Sequence, residues 1–339
     1  MKRGLTLGKF APFHRGHQFM IETALAEVDE LVVMVYDTEV IDIPLPVRAG
    51  WIKRLYPQVR IIEAWDGPAG YGDTPEIKRV QEDYILKKLD GLPITHFYCS
   101  EFYGDHVSKA LGAQDRRVDE ARTAVPISGT LLREDYFAHR HYLDPQVYSD
   151  LVIKVCFMGA PSTGKTTLAK ALAEQHHTHW MPEYGAEYWL KHQVNRRITL
   201  EQFEEIAPEH LRRENALLQD SRGYLFCDTN AITTYVFAKD YQGCAGPVLT
   251  QLAQAAEKRY DVFFLCDTDI PYADTWDRSG DQKRLWFQNQ IAADLAERKI
   301  PYFKIGGSLE ARMAQVNTVL SRFRKFGNVL DVWDSKRNT

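Results

Sequence analysis

The chain contains no apolar run approaching the roughly 20 residues that a membrane-spanning helix requires, so no membrane insertion is expected. It also lacks any C-x-x-C pair. The five cysteines, Cys99, Cys156, Cys227, Cys244 and Cys266, are odd in number and widely separated. That spacing argues against a disulfide scaffold and a zinc cluster; four of them lie in strand-like apolar runs, where a reduced, buried thiol fits. Charge of one sign is not in excess: 42 basic against 46 acidic side chains leave a net charge of −4. No stretch is basic enough for a nucleic-acid surface, so no nucleic-acid partner is expected. Internal repeats and low-complexity tracts are missing as well. Met1-Lys2-Arg3 runs directly into a strand-like stretch rather than a signal segment, and a cytoplasmic setting is expected.

What is present is 339 residues, 45% hydrophobic and 26% charged, enough for two domains that each bury a core. Strand-like runs occur at Gly4–Phe10, Leu31–Tyr36, Val59–Ala64 and Thr95–Cys99, then at Val152–Met158, Tyr224–Cys227, Val262–Cys266 and Tyr302–Ile305. Amphipathic stretches such as His17–Glu27, Glu76–Lys88, Lys165–Glu174 and Lys283–Arg298 fall between them. Apolar strands alternating with helices predict an α/β chain with mainly parallel sheets covered on both faces. Polar Ala138–Asp150, with Pro145, marks the boundary, giving domains at 1–148 and 149–339. The polar end, Asp334–Thr339, is expected to fray.

Gly159-Ala-Pro-Ser-Thr-Gly164-Lys165-Thr166 satisfies G-x-x-x-x-G-K-[ST] directly after the Val152–Met158 strand. In such a loop the glycines let backbone N–H groups wrap phosphates at a helix N-terminus. The expected ATP contacts are Gly159, Ser162, Thr163, Gly164, Lys165, Thr166 and Thr167. Lys165 would reach the β- and γ-phosphates, and Thr166 would hold Mg²⁺. Asp228, at the end of Tyr-Leu-Phe-Cys-Asp, is the candidate to orient a hydroxyl or share the Mg²⁺ shell, with Asp267 as the rival carboxylate and a plain helix cap as the alternative. The polar run Asp274–Arg284 reads as a lid carrying Arg278 or Arg284 to a phosphate. Glu183 lies on the expected far side of the nucleotide.

A second constellation opens the chain: Leu7-Gly8-Lys9-Phe10-Ala-Pro-Phe-His14-Arg-Gly16-His17. A strand ends in a short loop, and H-x-G-H begins a helix. His14, His17 and the helix N-terminus suit charge developing on an α-phosphate. Lys9 adds a fixed positive charge, Gly16 allows close approach, and Gly8 and Phe10 complete the loop. Ile127-Ser128-Gly-Thr130-Leu-Leu-Arg133 offers hydroxyls at Ser128 and Thr130 and a guanidinium fork at Arg133.

H-x-G-H followed by Ile-Ser-x-Thr-x-x-Arg resembles the nucleotidylyltransferase superfamily, and residues 4–137 look most like its nicotinamide-mononucleotide adenylyltransferases. Cys99-Ser-Glu-Phe-Tyr-Gly104 and Val118-Asp119-Glu-Ala-Arg122 add to that likeness. With a P-loop kinase behind it, the chain resembles the NadR-type family of bifunctional enzymes. Glu183-Tyr-Gly-Ala-Glu-Tyr188, Cys-Asp228-Thr-Asn-Ala-Ile-Thr-Thr234 and Asp281-Gln-Lys-Arg-Leu-Trp-Phe287-Gln-Asn resemble that family's kinase segments. The resemblance implies a Rossmann-like domain followed by a P-loop kinase domain. It implies phosphorylation of nicotinamide riboside by ATP to the mononucleotide (NMN), then adenylyl transfer from ATP giving NAD and pyrophosphate. Mg²⁺ would assist, held by Thr166 and Asp228; Glu183 and Asp228 would meet the riboside. The cationic nicotinamide ring would favour an aromatic face, with Arg48, Trp51 and Trp65 as the NMN candidates. A homo-oligomer is compatible.

The chain departs from the family at Ala186, where Arg is usual, and before Arg278, where an Asp-Gly turn is usual. It is expected to lack the helix-turn-helix domain with which such proteins often begin. The rivals are a pantetheine-phosphate adenylyltransferase fused to dephospho-coenzyme A kinase, and a nucleotide-binding sensor of NAD status. A class I aminoacyl-tRNA synthetase is disfavoured, since no Lys-Met-Ser-Lys-Ser-like loop appears.

Overall fold

The computed structural model describes residues 1–68, 72–101, 103–195, 197–271 and 281–327. The chain forms two compact units, Met1–Tyr148 and Ser149–Lys325.

The first unit runs β1 (Arg3–Gly8), α1 (Arg15–Glu27), β2 (Glu30–Tyr36), α2 (Leu45–Leu55), β3 (Arg60–Ala64), α3 (Pro75–Leu89), β4 (His96–Cys99), α4 (Gly104–Leu111), β5 (Gln114–Arg117) and α5 (Gly129–Glu134). Its sheet has the order β3-β2-β1-β4-β5, with every pairing parallel. β1 is flanked by β2 and β4, so the strand order reverses beside it. In open α/β sheets ligands bind at that reversal, beyond the strands' carboxyl ends. The loop carrying H-x-G-H leaves the sheet there. Leu5, Val32, Met34 and Phe97 from the sheet pack against Ile85, Leu89 and Val107 from the helices.

A short helix, α6 (Pro145–Leu151), spans the boundary between the units in sequence. The second unit runs β6 (Ile153–Met158), α7 (Lys165–Gln175), β7 (His179–Met181), α8 (Tyr184–His192), α9 (Leu200–Leu218), β8 (Tyr224–Asp228), α10 (Ala231–Gln242), α11 (Pro247–Arg259), β9 (Val262–Cys266), α12 (Asp281–Glu297), β10 (Phe303–Ile305) and α13 (Leu309–Arg322). The sheet order is β10-β9-β6-β8-β7, again all parallel. β6 is the strand at the reversal here, and it feeds the Gly159–Thr166 loop. Val155, Phe157, Phe226 and Phe264 meet Leu168 and Leu172 of α7 and Val316 and Leu320 of α13. Each such fully buried side chain contributes about 1.5–3 kcal/mol.

All eight strands read from the sequence are present, with ends shifted by no more than two residues. β5 and β7 escaped that reading. β5 is Gln-Asp-Arg-Arg at a sheet edge, with no apolar residue to mark it; it pairs with β4, and its Arg116 donates to Glu27 at 2.9 Å. β7 is three residues on the opposite unit's edge, too short for an alternating pattern. Among the described residues no helix is long and apolar enough to cross a membrane.

Candidate functional site

The first site is organised by the start of α1. His14 is its N-cap in extended backbone, and its Nδ1 accepts the Gly16 N–H at 3.2 Å. Nδ1 of His17, three residues on, accepts the His14 N–H at 3.3 Å. The histidines thus form a reciprocal capping box, satisfying two otherwise orphaned backbone donors. The same bonds fix the tautomers. A ring nitrogen that accepts cannot carry a proton, so each neutral imidazole bears its proton on Nε2. Both rings therefore present an Nε2–H donor.

The rings stack on each other with centroids 3.7 Å apart. Phe13 stacks on His17 at 5.8 Å and Phe10 meets it edge-on at 4.9 Å. Burial, and secondarily the Arg122 guanidinium, pushes His14 down to about 4. His17 is lowered well below the ordinary value by burial, then by His14 and Arg122. At neutral pH this is a pair of neutral donors set at a helix N-terminus.

The Ile127–Arg133 motif reaches the same loop. A Cβ on Gly16 would stand 3.1 Å from the His14 ring and 3.8 Å from Ile127. Arg133 donates to the Ala11 carbonyl at 2.6 Å and to the Thr130 hydroxyl at 3.1 Å. Ser128 caps α5, its hydroxyl accepting the Leu131 N–H at 3.2 Å. Lys9, half-buried, and Gly8 lead from β1 into this loop. Phe10 is enclosed under His17 and offers its ring to that residue rather than to a nucleotide.

Two expectations for the nicotinamide need correction. Trp51 is fully buried, with no ring face open to a ligand, because α2 turns it into the core. Arg48 is equally buried. It donates to the carbonyls of Ile43 at 2.9 Å, Tyr36 at 2.8 Å and Lys9, and meets Asp37 at 3.4 Å. It ties the exits of β1 and β2 together and so shapes the Lys9 loop. Trp65, by contrast, is exposed and donates from Nε1 to Glu63 at 3.0 Å.

The second site is the phosphate loop after β6. Gly159 has φ of 139°, and a Cβ there would lie 2.9 Å from the Cys266 carbonyl, so only glycine fits. Ser162 and Gly164 are also left-handed, at 61° and 78°. Thr163 and Lys165 both donate to the Ala160 carbonyl, at 2.8 and 2.9 Å. Thr167 lies exposed in the first turn of α7. Thr166 donates its hydroxyl to Asp228 Oδ2. Asp228 is fully buried; burial raises its pKa, opposed by Lys165 and the Thr166 bond, while Oδ1 has no hydrogen-bond partner. It is not the cap of α10, which is Asn230.

Asp267, the rival carboxylate, is held below the usual range by Lys304, which it meets at 2.9 Å. Glu183 immediately precedes α8; because Met181 pairs with Cys227, it leaves the same sheet end as Asp228. Arg284 is buried and donates to the Ile270 carbonyl at 2.9 Å, anchored rather than reaching outward. Arg278 lies outside the described residues.

Three residues carry roles that the sequence did not assign. Arg122 places its charge near both histidines. Gln288 clamps the phosphate loop, accepting from Ala160 N–H at 2.8 Å and donating to the Cys266 carbonyl at 2.9 Å. Buried Arg312 donates to the carbonyls of Thr163 at 2.7 Å and Gly307 at 3.0 Å and pairs with Asp269. Arg122 falls within a string that resembles the nicotinamide-mononucleotide adenylyltransferases and Gln288 within one that resembles the NadR-type kinase segments; Arg312 falls in none.

Residues 5–135 match the cytidylyltransferase-like family and residues 154–312 the AAA domain family. These matches, with the two sheets and their loops, define a nucleotidylyltransferase-like domain followed by a P-loop domain. The chain is 28% identical over 326 residues to the trifunctional NAD biosynthesis/regulator protein NadR of Escherichia coli (strain K12), covering 89% of this chain and 78% of that protein. The identity to the same protein of Salmonella typhimurium, over the same shares, is also 28%. A solved NadR structure in complex with NAD and AMP-PNP aligns with a TM-score of 0.53 at 22% identity, over 94% of this chain and 95% of that one. In sequence, domain order and fold, the chain is similar to the NadR proteins.

Proposed function

We propose that the chain makes NAD in two steps at two sites. The P-loop unit transfers the γ-phosphate of ATP to the 5′-hydroxyl of nicotinamide riboside. The first unit then joins the resulting mononucleotide to the adenylyl group of a second ATP, releasing pyrophosphate. The observation that carries this reading is the coexistence of two phosphate cradles on one chain similar to NadR: a histidine-capped helix start and a P-loop backed by a buried aspartate.

In adenylyl transfer, an oxygen of the mononucleotide's phosphate attacks the α-phosphorus of ATP and pyrophosphate leaves in line. The Nε2–H groups of His14 and His17, with the α1 N-terminus, donate to α-phosphate oxygens as their charge grows. Lys9 and Arg133 neutralise and orient the polyphosphate. Trp65 is the exposed aromatic face for the nicotinamide cation. In riboside phosphorylation, Gly159–Thr167 wrap the phosphates, Lys165 swings from Ala160 to them, and Asp228 takes the acceptor's proton. Glu183 contributes from the same sheet end to hold the riboside.

The donors fit Mg²⁺. A hydroxyl and a carboxylate in contact, Thr166 and Asp228 Oδ2, match a cation that takes one or two protein oxygens and completes its shell with water and phosphate. When bound, Mg²⁺ neutralises charge on the phosphates.

The test uses the purified chain with ATP, Mg²⁺ and nicotinamide riboside, followed by chromatography. The mononucleotide should appear first and NAD after it. Phosphorylation of pantothenate-derived substrates in place of the riboside would replace this reading with the coenzyme A one.

A further inference from the structure

At the carboxyl end of β8 the chain enters α10 through Asp228-Thr229-Asn230. Thr229 takes φ of 65° there. A β-branched residue avoids the left-handed region, and such outliers persist only where their surroundings hold them. β6 supplies the restraint: the Thr229 N–H donates to the Phe157 carbonyl at 3.1 Å, and its carbonyl accepts from the Cys156 thiol at 3.6 Å. The turn is pinned, with Asp228 and Asn230 both buried at its ends.

Asn230 Oδ1 caps α10, accepting the Ile232 N–H at 2.9 Å. That bond settles the amide's orientation, because a reversed amide would set NH₂ against N–H. Nδ2 is the group left over, and it is buried without a hydrogen-bond partner. Asp228 Oδ1 is in the same condition, its Oδ2 being engaged by Thr166. One turn thus holds a buried donor and a buried acceptor that do not bond each other. Capping explains neither, since Ser or Asp would cap the helix as well without an amide. Buried polar groups in native proteins find partners.

A single chemical group satisfies both: a hydroxyl, which accepts through its oxygen and donates through its proton. We infer that Asn230 and Asp228 form the receptor for the phosphate-accepting hydroxyl of a sugar, with Asn230 orienting it. This rests on the riboside kinase reading and adds a residue to it. The Asn230 amide donates to one lone pair of the hydroxyl oxygen while its proton faces Asp228 Oδ1. The other lone pair forms the bond to the γ-phosphorus. The bond from that phosphorus to the bridging oxygen breaks, ADP takes the electron pair, and Asp228 receives the proton.

Asn230→Ser retains a capping oxygen and deletes the amide. Its kcat/KM for nicotinamide riboside should fall about tenfold, the loss of one hydrogen bond to the substrate. KM for ATP, ATP hydrolysis without riboside, and the unfolding midpoint should match the unmodified chain. Unchanged riboside phosphorylation overturns the assignment. An equal loss of riboside-independent hydrolysis also overturns it, placing the amide on the nucleotide or on a water. Should Asn230→Ser unfold, Asn230→Asp keeps the cap and carries the same comparison with the same two overturning outcomes. An unmodified chain that phosphorylates no riboside fails the kinase reading itself, before any variant is made.

Discussion

The two units handle phosphate with opposite materials. In the first, the donors are imidazoles, oriented by a capping box, with His17 packed against Phe10 and Phe13. In the second they are backbone N–H groups, exposed by glycines in left-handed or otherwise forbidden conformations and clamped by Gln288 and Arg312. A side-chain cradle can be deleted one donor at a time and responds to protonation. A backbone cradle is insensitive to pH and fails through its lysine or its buttresses. The difference makes the sites separable by experiment.

The sharpest separation is Lys165→Ala. Riboside phosphorylation should fall by about 10³ or more, since a charged donor to the transferred phosphate is lost. NAD formation from supplied mononucleotide should stay at the unmodified level, because Lys165 serves the phosphate loop of its own unit. Absence of NAD with mononucleotide supplied would mean that the halves are not independent active sites. The converse variant, His17→Ala, should lower adenylyl transfer by about 10² while riboside phosphorylation stays intact. NAD formation from mononucleotide at the unmodified rate would remove the histidine from the reaction.

A milder change probes the buttress. Arg312→Met keeps apolar bulk but releases the Thr163 and Gly307 carbonyls. It takes the guanidinium away from Asp269, and breaking such bonds costs about 1–3 kcal/mol. The second unit's unfolding midpoint should drop and KM for ATP should rise, with adenylyl transfer unaffected. A kinase with unchanged KM and stability would show that the loop holds its shape without Arg312.

Much of this was legible in the sequence because phosphate loops and parallel strands are local patterns. Gly159–Thr166 and His14–His17 name themselves through spacing, and apolar runs mark eight strands. What depended on tertiary packing was not. β5, without one apolar residue, is a strand through its pairing with β4. Arg48 and Trp51 look like ligand groups by residue type, yet α2 points both inward. A buried guanidinium serving carbonyls and an exposed one serving phosphate have the same letter. Arg312 lies 149 residues from the carbonyl it holds, with no local signal.

The smallest expected effect is an absence, and it tests the capping box directly. An ordinary histidine titrates near 6.5, so a catalytic pair in solution-like surroundings would change charge across mildly acidic pH. Here burial first, and Arg122 second, hold His14 near 4 and His17 well below its ordinary value. Both groups lose protons at lower pH in the folded chain than in the unfolded one. The sign follows: between about pH 6.5 and 4 the unfolded chain binds more protons, so this contribution to stability is full above that window and is lost as pH falls through it. Protonation would also force each Nδ1 to give up its backbone donor, breaking the box and the tautomer with it. Adenylyl transfer from supplied mononucleotide should therefore stay level from pH 8 through about 5.5 and fall only as pH approaches 4. Arg122→Gln removes the nearby positive charge and should move that acid limb upward, toward but not to 6.5, because burial remains the larger cause. A limb centred at 6.5 in the unmodified chain would mean that the imidazoles are solvated and charged in the working enzyme, and the neutral-donor account of the first site would fall.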